Sequence, residues 1–224
     1  MPFQPFEREA DFEIYRINLP HWRQPGSTYF VTWRLVDSLP QVKLDALHAE
    51  RIAWLRAHGI PDGGDIAALS AKHRTEYHRL FTARIHEWLD AGMGACHLRA
   101  PRCAAPVAEA LRHFDGDRYA LDAFVVMPNH VHALVAPAPG WRLEQVLHSW
   151  KGYTSNVLNR LLGRRGALWQ QESWDHIVRS AAHLEHFRRY IRENPVKAGL
   201  PEGEFVLQVE GASSPLSPTP PAPL

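Results

Sequence analysis

The sequence predicts an α+β fold: a mainly antiparallel sheet with helices packed on it, interrupted by a helical insertion. Three observations predict it. The order of elements is strand, helices, hairpin, helix, strand, helix, without the strict alternation of a parallel α/β fold. Two strand-like runs, 119–127 and 130–135, are separated only by Pro128-Asn129, which reads as an antiparallel hairpin. The chain has 224 residues, 45% apolar and 22% charged, enough for one core without staples.

The elements follow in order. Pro25-Gly26 is a turn signal before the first strand, 29–35, which is rich in aromatic and β-branched residues (Tyr29-Phe30-Val31-Thr32-Trp33). Two helical stretches come next, 41–58 and 70–91. Leu44, Leu47, Arg51 and Leu55 form a mostly apolar stripe on the first. Gly59 and Pro61-Asp62-Gly63-Gly64 separate the two, and Gly92 and Gly94 end the second. A short helix over 106–114 closes at Asp115-Gly116. The hairpin follows, ending in Phe124-Val125-Val126-Met127 on one side and resuming at His130-Val131-His132 on the other. A long helix over 142–162 carries Leu143, Val146, Leu147, Trp150, Val157, Leu158 and Leu161 at helical spacing. After Gly163-Arg164-Arg165-Gly166 the chain is extended, with a strand near 174–178. A last helix runs over 181–193, and Pro195 places its boundary at Asn194. Residues 1–210 therefore read as a single domain with 40–91 as a helical insertion. The last 14 residues hold five prolines and read as a disordered tail, 211–224.

Composition excludes several classes. Two cysteines, Cys96 and Cys103, exclude a disulfide scaffold and a four-cysteine zinc site. No apolar run approaches the ~18 residues of a membrane span, and the N-terminus lacks a basic-then-apolar leader, so a cytoplasmic location is expected. The net charge is only +1, but it is unevenly spread. Residues 141–200 hold 10 Lys/Arg against 5 Asp/Glu, a local surplus able to hold a polyanion.

The chemistry concentrates at two places. His130 and His132 stand at i and i+2 in a strand, so both imidazoles leave the same face, about 7 Å apart along the chain. That arrangement suits a pair of metal ligands, and two unrelated histidines are the structural alternative. In the last helix Tyr190 and Asn194 stand at i and i+4 and share a face. Tyrosine offers a nucleophilic phenol, and the asparagine amide oxygen can complete a cation's coordination. His186, four residues before Tyr190, is a further candidate ligand, base or orienting group. Tyr153 is the rival nucleophile, although no amide follows it at i+4.

The blocks Met127-Pro128-Asn129-His130-Val131-His132, Trp169-Gln170, Asp175-His176-Ile177-Val178-Arg179 and Tyr190-Ile191-Arg192-Glu193-Asn194-Pro195-Val196-Lys197-Ala198-Gly199-Leu200 resemble the REP-associated tyrosine transposases. These are a branch of the single-tyrosine HUH transposases and nucleases. The resemblance spans about 20–36 and 92–200 in order, and the stretch 40–91 has no counterpart in it. It implies an HUH, ferredoxin-like nuclease core. It implies that His130, His132 and Asn194 bind a divalent metal, Mg or Mn, and that Tyr190 is the nucleophile. Many of the wider group carry Gln at the position of Asn194, so the shorter amide must sit closer. The implied activity is nicking and strand transfer of single-stranded, hairpin-forming repeat DNA through a 5′-phosphotyrosine, by a monomer or homodimer.

Lys151, Arg160, Arg164, Arg165, Arg188, Arg189 and Lys197 are the expected DNA contacts. For Trp150 a core role is favoured, and for Asp175, His176 and Arg179 a bracing role in the sheet. Two other readings stand beside the nuclease: a hairpin-DNA-binding protein of the same fold that does not cut, and a His-x-His metal hydrolase. Against the last, the H-x-H-x-D-H run of β-lactamase-like hydrolases is absent.

Overall fold

The computed structural model describes residue 3 and residues 13–16, 20–61, 64 and 66–209. The proline-rich tail expected at 211–224 lies outside the described residues. Two short strands, β1 (Glu13–Arg16) and β2 (Pro20–Arg23), pair antiparallel. The main sheet contains β3 (Tyr29–Arg34), β4 (Tyr119–Val126), β5 (His130–Pro137), β6 (Trp174–Ile177) and β7 (Val206–Val209) in the order β6-β3-β5-β4-β7. Every pairing in it is antiparallel, as the hairpin signal predicts.

Alternation along β3 and β5 divides the protein into two layers. Tyr29, Val31 and Trp33, with Val131, Ala133 and Val135, face α4 (Pro101–Arg112) and α5 (Leu143–Leu161). Phe30 and Leu134 face α6 (Ala181–Lys197) through Leu184, Phe187 and Ile191. His130 and His132, in phase with Leu134, therefore lie on the α6 layer. Trp150 is the expected core anchor: it is buried, and its indole N–H donates to the Tyr119 hydroxyl at 2.9 Å. A bulge between Leu121 and Ala123 leaves Asp122 to accept from Arg188 of α6 at 2.8 Å, which ties that helix to the sheet.

The insertion differs from two plain helices. It holds α1 (Gln41–Ala57), then α2 (Ala71–Tyr77), a π-helical turn (His78–Thr82) and α3 (Ala83–Asp90). Leu47, Leu55, Ile60, Leu69, Tyr77 and Phe81 form a small core of their own. The last helix also differs: it does not end at Asn194 but runs through Pro195 to Lys197. Proline costs one i→i−4 bond, yet the ladder resumes with Ala198 N–H donating to the Asn194 carbonyl at 3.0 Å. Among the described residues no helix is long and apolar enough to cross a membrane.

Candidate active site

Thr32 pairs with His132 and Arg34 with His130 across the β3–β5 ladder. The four side chains thus share one face. Both imidazoles are buried, and their Nε2 atoms are 3.0 Å apart. Each ring is held from behind. Asn129 donates its amide N–H to the Met93 carbonyl at 2.9 Å, so its Oδ1 faces His130 Nδ1 at 2.7 Å. An amide oxygen only accepts. His130 Nδ1 therefore carries the proton, and Nε2 keeps its lone pair. The Thr32 hydroxyl lies 2.7 Å from His132 Nδ1 and can serve either tautomer of that ring, as donor or acceptor.

The Tyr190 ring stands edge-on to His132 with centroids 5.2 Å apart, and edge-on to Phe30 at 5.7 Å. The phenol hydroxyl hydrogen-bonds with the Asn194 side chain, one helical turn on. Asn194 is buried, and its Oδ1 has no hydrogen-bond partner. The helix thus brings the phenol and the amide onto the histidine face, as the i, i+4 spacing predicts. Burial, then the negative charge of Asp90, pushes the phenol above its ordinary pKa of about 10.

Asp90, like Thr32, is a site residue that sequence reasoning missed. It ends α3, and its Oδ1 is buried 3.8 Å from His130 Nε2 without a hydrogen-bond partner. Burial raises its carboxyl to about 6. No local pattern marks it, because forty residues separate it from His130 and only the packing of the insertion joins them.

Among the described residues no three His, Cys, Asp or Glu side chains gather as a metal group. The expected donor set is different, two imidazoles and an amide. Orphaned acceptor oxygens on Asn194 and Asp90, beside a His130 lone pair fixed by Asn129, fit a cation better than they fit one another.

The remaining predicted residues lie elsewhere. Tyr153 is exposed on α5, on the opposite side of the sheet from the histidines. His186 is exposed, with its ring against Phe187 at 5.6 Å. Lys151 donates to the Gln170 and Gln171 carbonyls at 2.6 and 2.8 Å, and burial lowers its pKa to about 8. Arg164 donates to the Ala167 carbonyl at 3.0 Å. Arg188 is paired with Asp122, and Lys197 with Glu193 at 2.8 Å. Arg160, Arg165 and Arg189 are exposed. Asp175 braces the sheet as expected, accepting both Arg23 terminal nitrogens at 2.8 and 3.0 Å.

Residues 103–194 match the family model described as "Transposase IS200 like". That stretch contains His130, His132, Tyr190 and Asn194. Among solved structures, the chain is similar to a REP-associated tyrosine transposase bound to a REP hairpin. The TM-score is 0.46, with 17% identity, covering 84% of this chain and 77% of that one. It is also similar to a candidate transposase from Deinococcus radiodurans R1, at a TM-score of 0.28 and 12% identity, covering 86% of this chain and 98% of that one. No curated protein matches the chain.

Proposed function

We propose that the chain, whose residues 103–194 match the family model described as "Transposase IS200 like", nicks single-stranded, hairpin-forming DNA and transfers the strand through a tyrosyl intermediate. The observation that carries this reading is the position of Tyr190. It is on the histidine face, with its ring 5.2 Å from His132 and its hydroxyl on Asn194.

The chain's own groups divide the work. The Tyr190 oxygen attacks phosphorus as its proton passes to solvent, the 3′ oxygen leaves with the bonding pair and takes a proton from solvent, and a 5′-phosphotyrosyl bond remains. That bond keeps the phosphodiester energy for rejoining. Burial around the phenol keeps out water that would compete as nucleophile. It also makes the phenol hard to ionise, so positive charge must enter the site. His130, His132 and Asn194 would hold a divalent cation, Mg or Mn, which when bound would supply that charge and polarise the scissile phosphate. Asn129 and Thr32 keep the two imidazoles aimed at a common point.

The test is a denaturing gel. Wild-type protein with hairpin DNA and Mn²⁺ or Mg²⁺ is expected to give a covalent adduct. Tyr190→Phe, which keeps the ring and its packing, is expected to give neither adduct nor nick while still binding hairpin. Tyr153→Phe is expected to behave as wild type. Replacing His130 and His132 with Ala is expected to end cleavage and spare most DNA binding, because the groups that hold phosphate lie on other side chains. Full cleavage by Tyr190→Phe overturns the assignment. Binding without cleavage by the wild type favours the non-cutting hairpin-binding alternative.

A further inference from the structure

A cavity of about 400 Å³ lies between the sheet and the insertion. Its floor is Thr32 and Arg34, which flank the histidines on the same face of the sheet. Tyr77 and Phe81 come from the insertion, and Trp174 from β6. Leu44 of α1 and Ile85 of α3 also line it, both half-buried. The cavity therefore lies beside the proposed active site: Thr32 borders both, while His130, His132, Tyr190 and Asn194 do not line it.

Its chemistry is specific. Aromatic walls offer stacking faces, and an arginine at the floor offers a fork of donors. The Arg34 side chain is half-buried. It donates to the Ser38 hydroxyl at a long 3.3 Å and feels the negative charge of Glu172, which with Asp45 also lines the cavity. A half-buried guanidinium with one long hydrogen bond still has donors to offer an anion that brings its own oxygens. The Arg51 in the otherwise apolar α1 stripe is accounted for too. It donates to the Tyr77 hydroxyl at 2.6 Å and fixes that ring in the wall. The volume is at the low end of the roughly 300–1,000 Å³ of ligand pockets, room for one nucleotide and not for a duplex.

We propose that this cavity is a nucleotide pocket, taking one unstacked base of the strand bound at the active site while Arg34 holds the adjoining phosphate. The inference rests on the DNA-nicking reading above and gives the insertion a role in it. The insertion supplies the wall that grips a nucleotide beside the scissile bond.

The test uses the full chain, without added metal, and a hairpin oligonucleotide with single-stranded flanks. One flank position at a time is made abasic, and affinity is read by fluorescence anisotropy. The wild type is expected to lose roughly tenfold in affinity at one flank position, the scale of one base–aromatic stack. Leu44→Trp and Ile85→Trp fill the cavity from two different helices. Each is expected to bind the intact oligonucleotide as weakly as the wild type binds that abasic one, with no further loss there. In unaltered protein, 2-aminopurine at the same position is expected to be quenched by stacking. Wild-type-like profiles in both variants, a flat abasic profile, or unquenched 2-aminopurine overturns the pocket and leaves the nuclease reading standing. If the wild type binds no hairpin at all, both fall.

Discussion

Asn129 shows how much of this site depends on side chains that touch no substrate. Its amide is oriented by the Met93 carbonyl, and its oxygen in turn decides which nitrogen of His130 is free. Asn129→Ala leaves that ring able to rotate and to change tautomer. Affinity for Mn²⁺, measured by titration calorimetry, is expected to fall about 10- to 100-fold, with little change in hairpin binding. Asp90 works against stability. Its carboxyl titrates near 6 against an ordinary value of 3.8, so the folded protein binds the proton more tightly than the unfolded chain. The stability that protonation gives is present below pH 3.8 and is lost as pH rises through 6. Asp90→Asn is therefore expected to melt higher than the wild type at pH 8 without metal, with the gap closing between pH 6 and 4. The histidines, Tyr190 and Asn194 were legible because strand and helix periods place them on faces. Thr32 and Asp90 were not, since each reaches the site through packing between segments far apart in the chain.

Elements were legible where the signal is local. The Pro128-Asn129 turn set the hairpin, and the apolar spacing from Leu143 to Leu161 set α5. The strands β1, β2 and β7 carry four residues each and, unlike the equally short β6, no local strand signal was read for them. The boundary at Asn194 misled because proline forfeits only its own bond to the preceding turn, while Ala198 and Leu200 N–H still donate to the Asn194 and Pro195 carbonyls at 3.0 and 2.9 Å. Gly94 marks the junction between insertion and sheet. It has φ +84°, and a Cβ there would overlap the Asp37 carbonyl oxygen, while Ala95 N–H donates to Asp37 Oδ2 at 2.9 Å. Gly94→Ala must displace the loop that presents the Met93 carbonyl to Asn129. It is expected to lower the melting temperature and weaken Mn²⁺ binding together. At the other edge, His176 of β6 packs against Phe187 of α6, centroids 5.8 Å apart, and His183 at 5.1 Å. Burial, reinforced by His183, Arg179 and His78, lowers its pKa to about 4, against a small opposing pull from Asp175. The unfolded chain, near 6.5, takes the proton first. Stability present above pH 6.5 is thus lost as pH falls toward 4. Urea midpoints across that window are expected to fall less steeply in His176→Phe.

At the scale of the whole molecule, the charge surplus of 141–200 is not one patch. α5 and α6 lie on opposite sides of the sheet, so the basic residues they carry face different ways. Arg189 is exposed on α6, the helix that carries Tyr190, whereas Arg160 and Arg165 are exposed at the far end of α5 and in the loop after it. Of the other four, Arg188 and Lys197 already meet carboxylates, and Lys151 and Arg164 hold backbone carbonyls, so these exposed three carry most of the expectation for phosphate. On the DNA-nicking proposal, a hairpin with a single-stranded flank would offer two kinds of backbone to two surfaces, the flank at the active site and the stem along the α5 end. Removing one cation that neutralises a phosphate lowers the slope of log affinity against log salt by about 0.9 for duplex and 0.7 for single strand. Arg189→Ala is therefore expected to weaken binding of the hairpin and of the bare flank oligonucleotide alike, with a slope smaller by roughly 0.7 in both. Arg160→Ala combined with Arg165→Ala is expected to cut the hairpin slope by nearly 2 and to leave the bare flank unchanged. Anisotropy titrations at several salt concentrations with the two oligonucleotides separate these outcomes. An equal loss for both DNAs in the double variant would put the single strand, not the stem, on the α5 end and require it to cross the sheet edge. No loss for either would make Arg160 and Arg165 solvated charges with no part in binding.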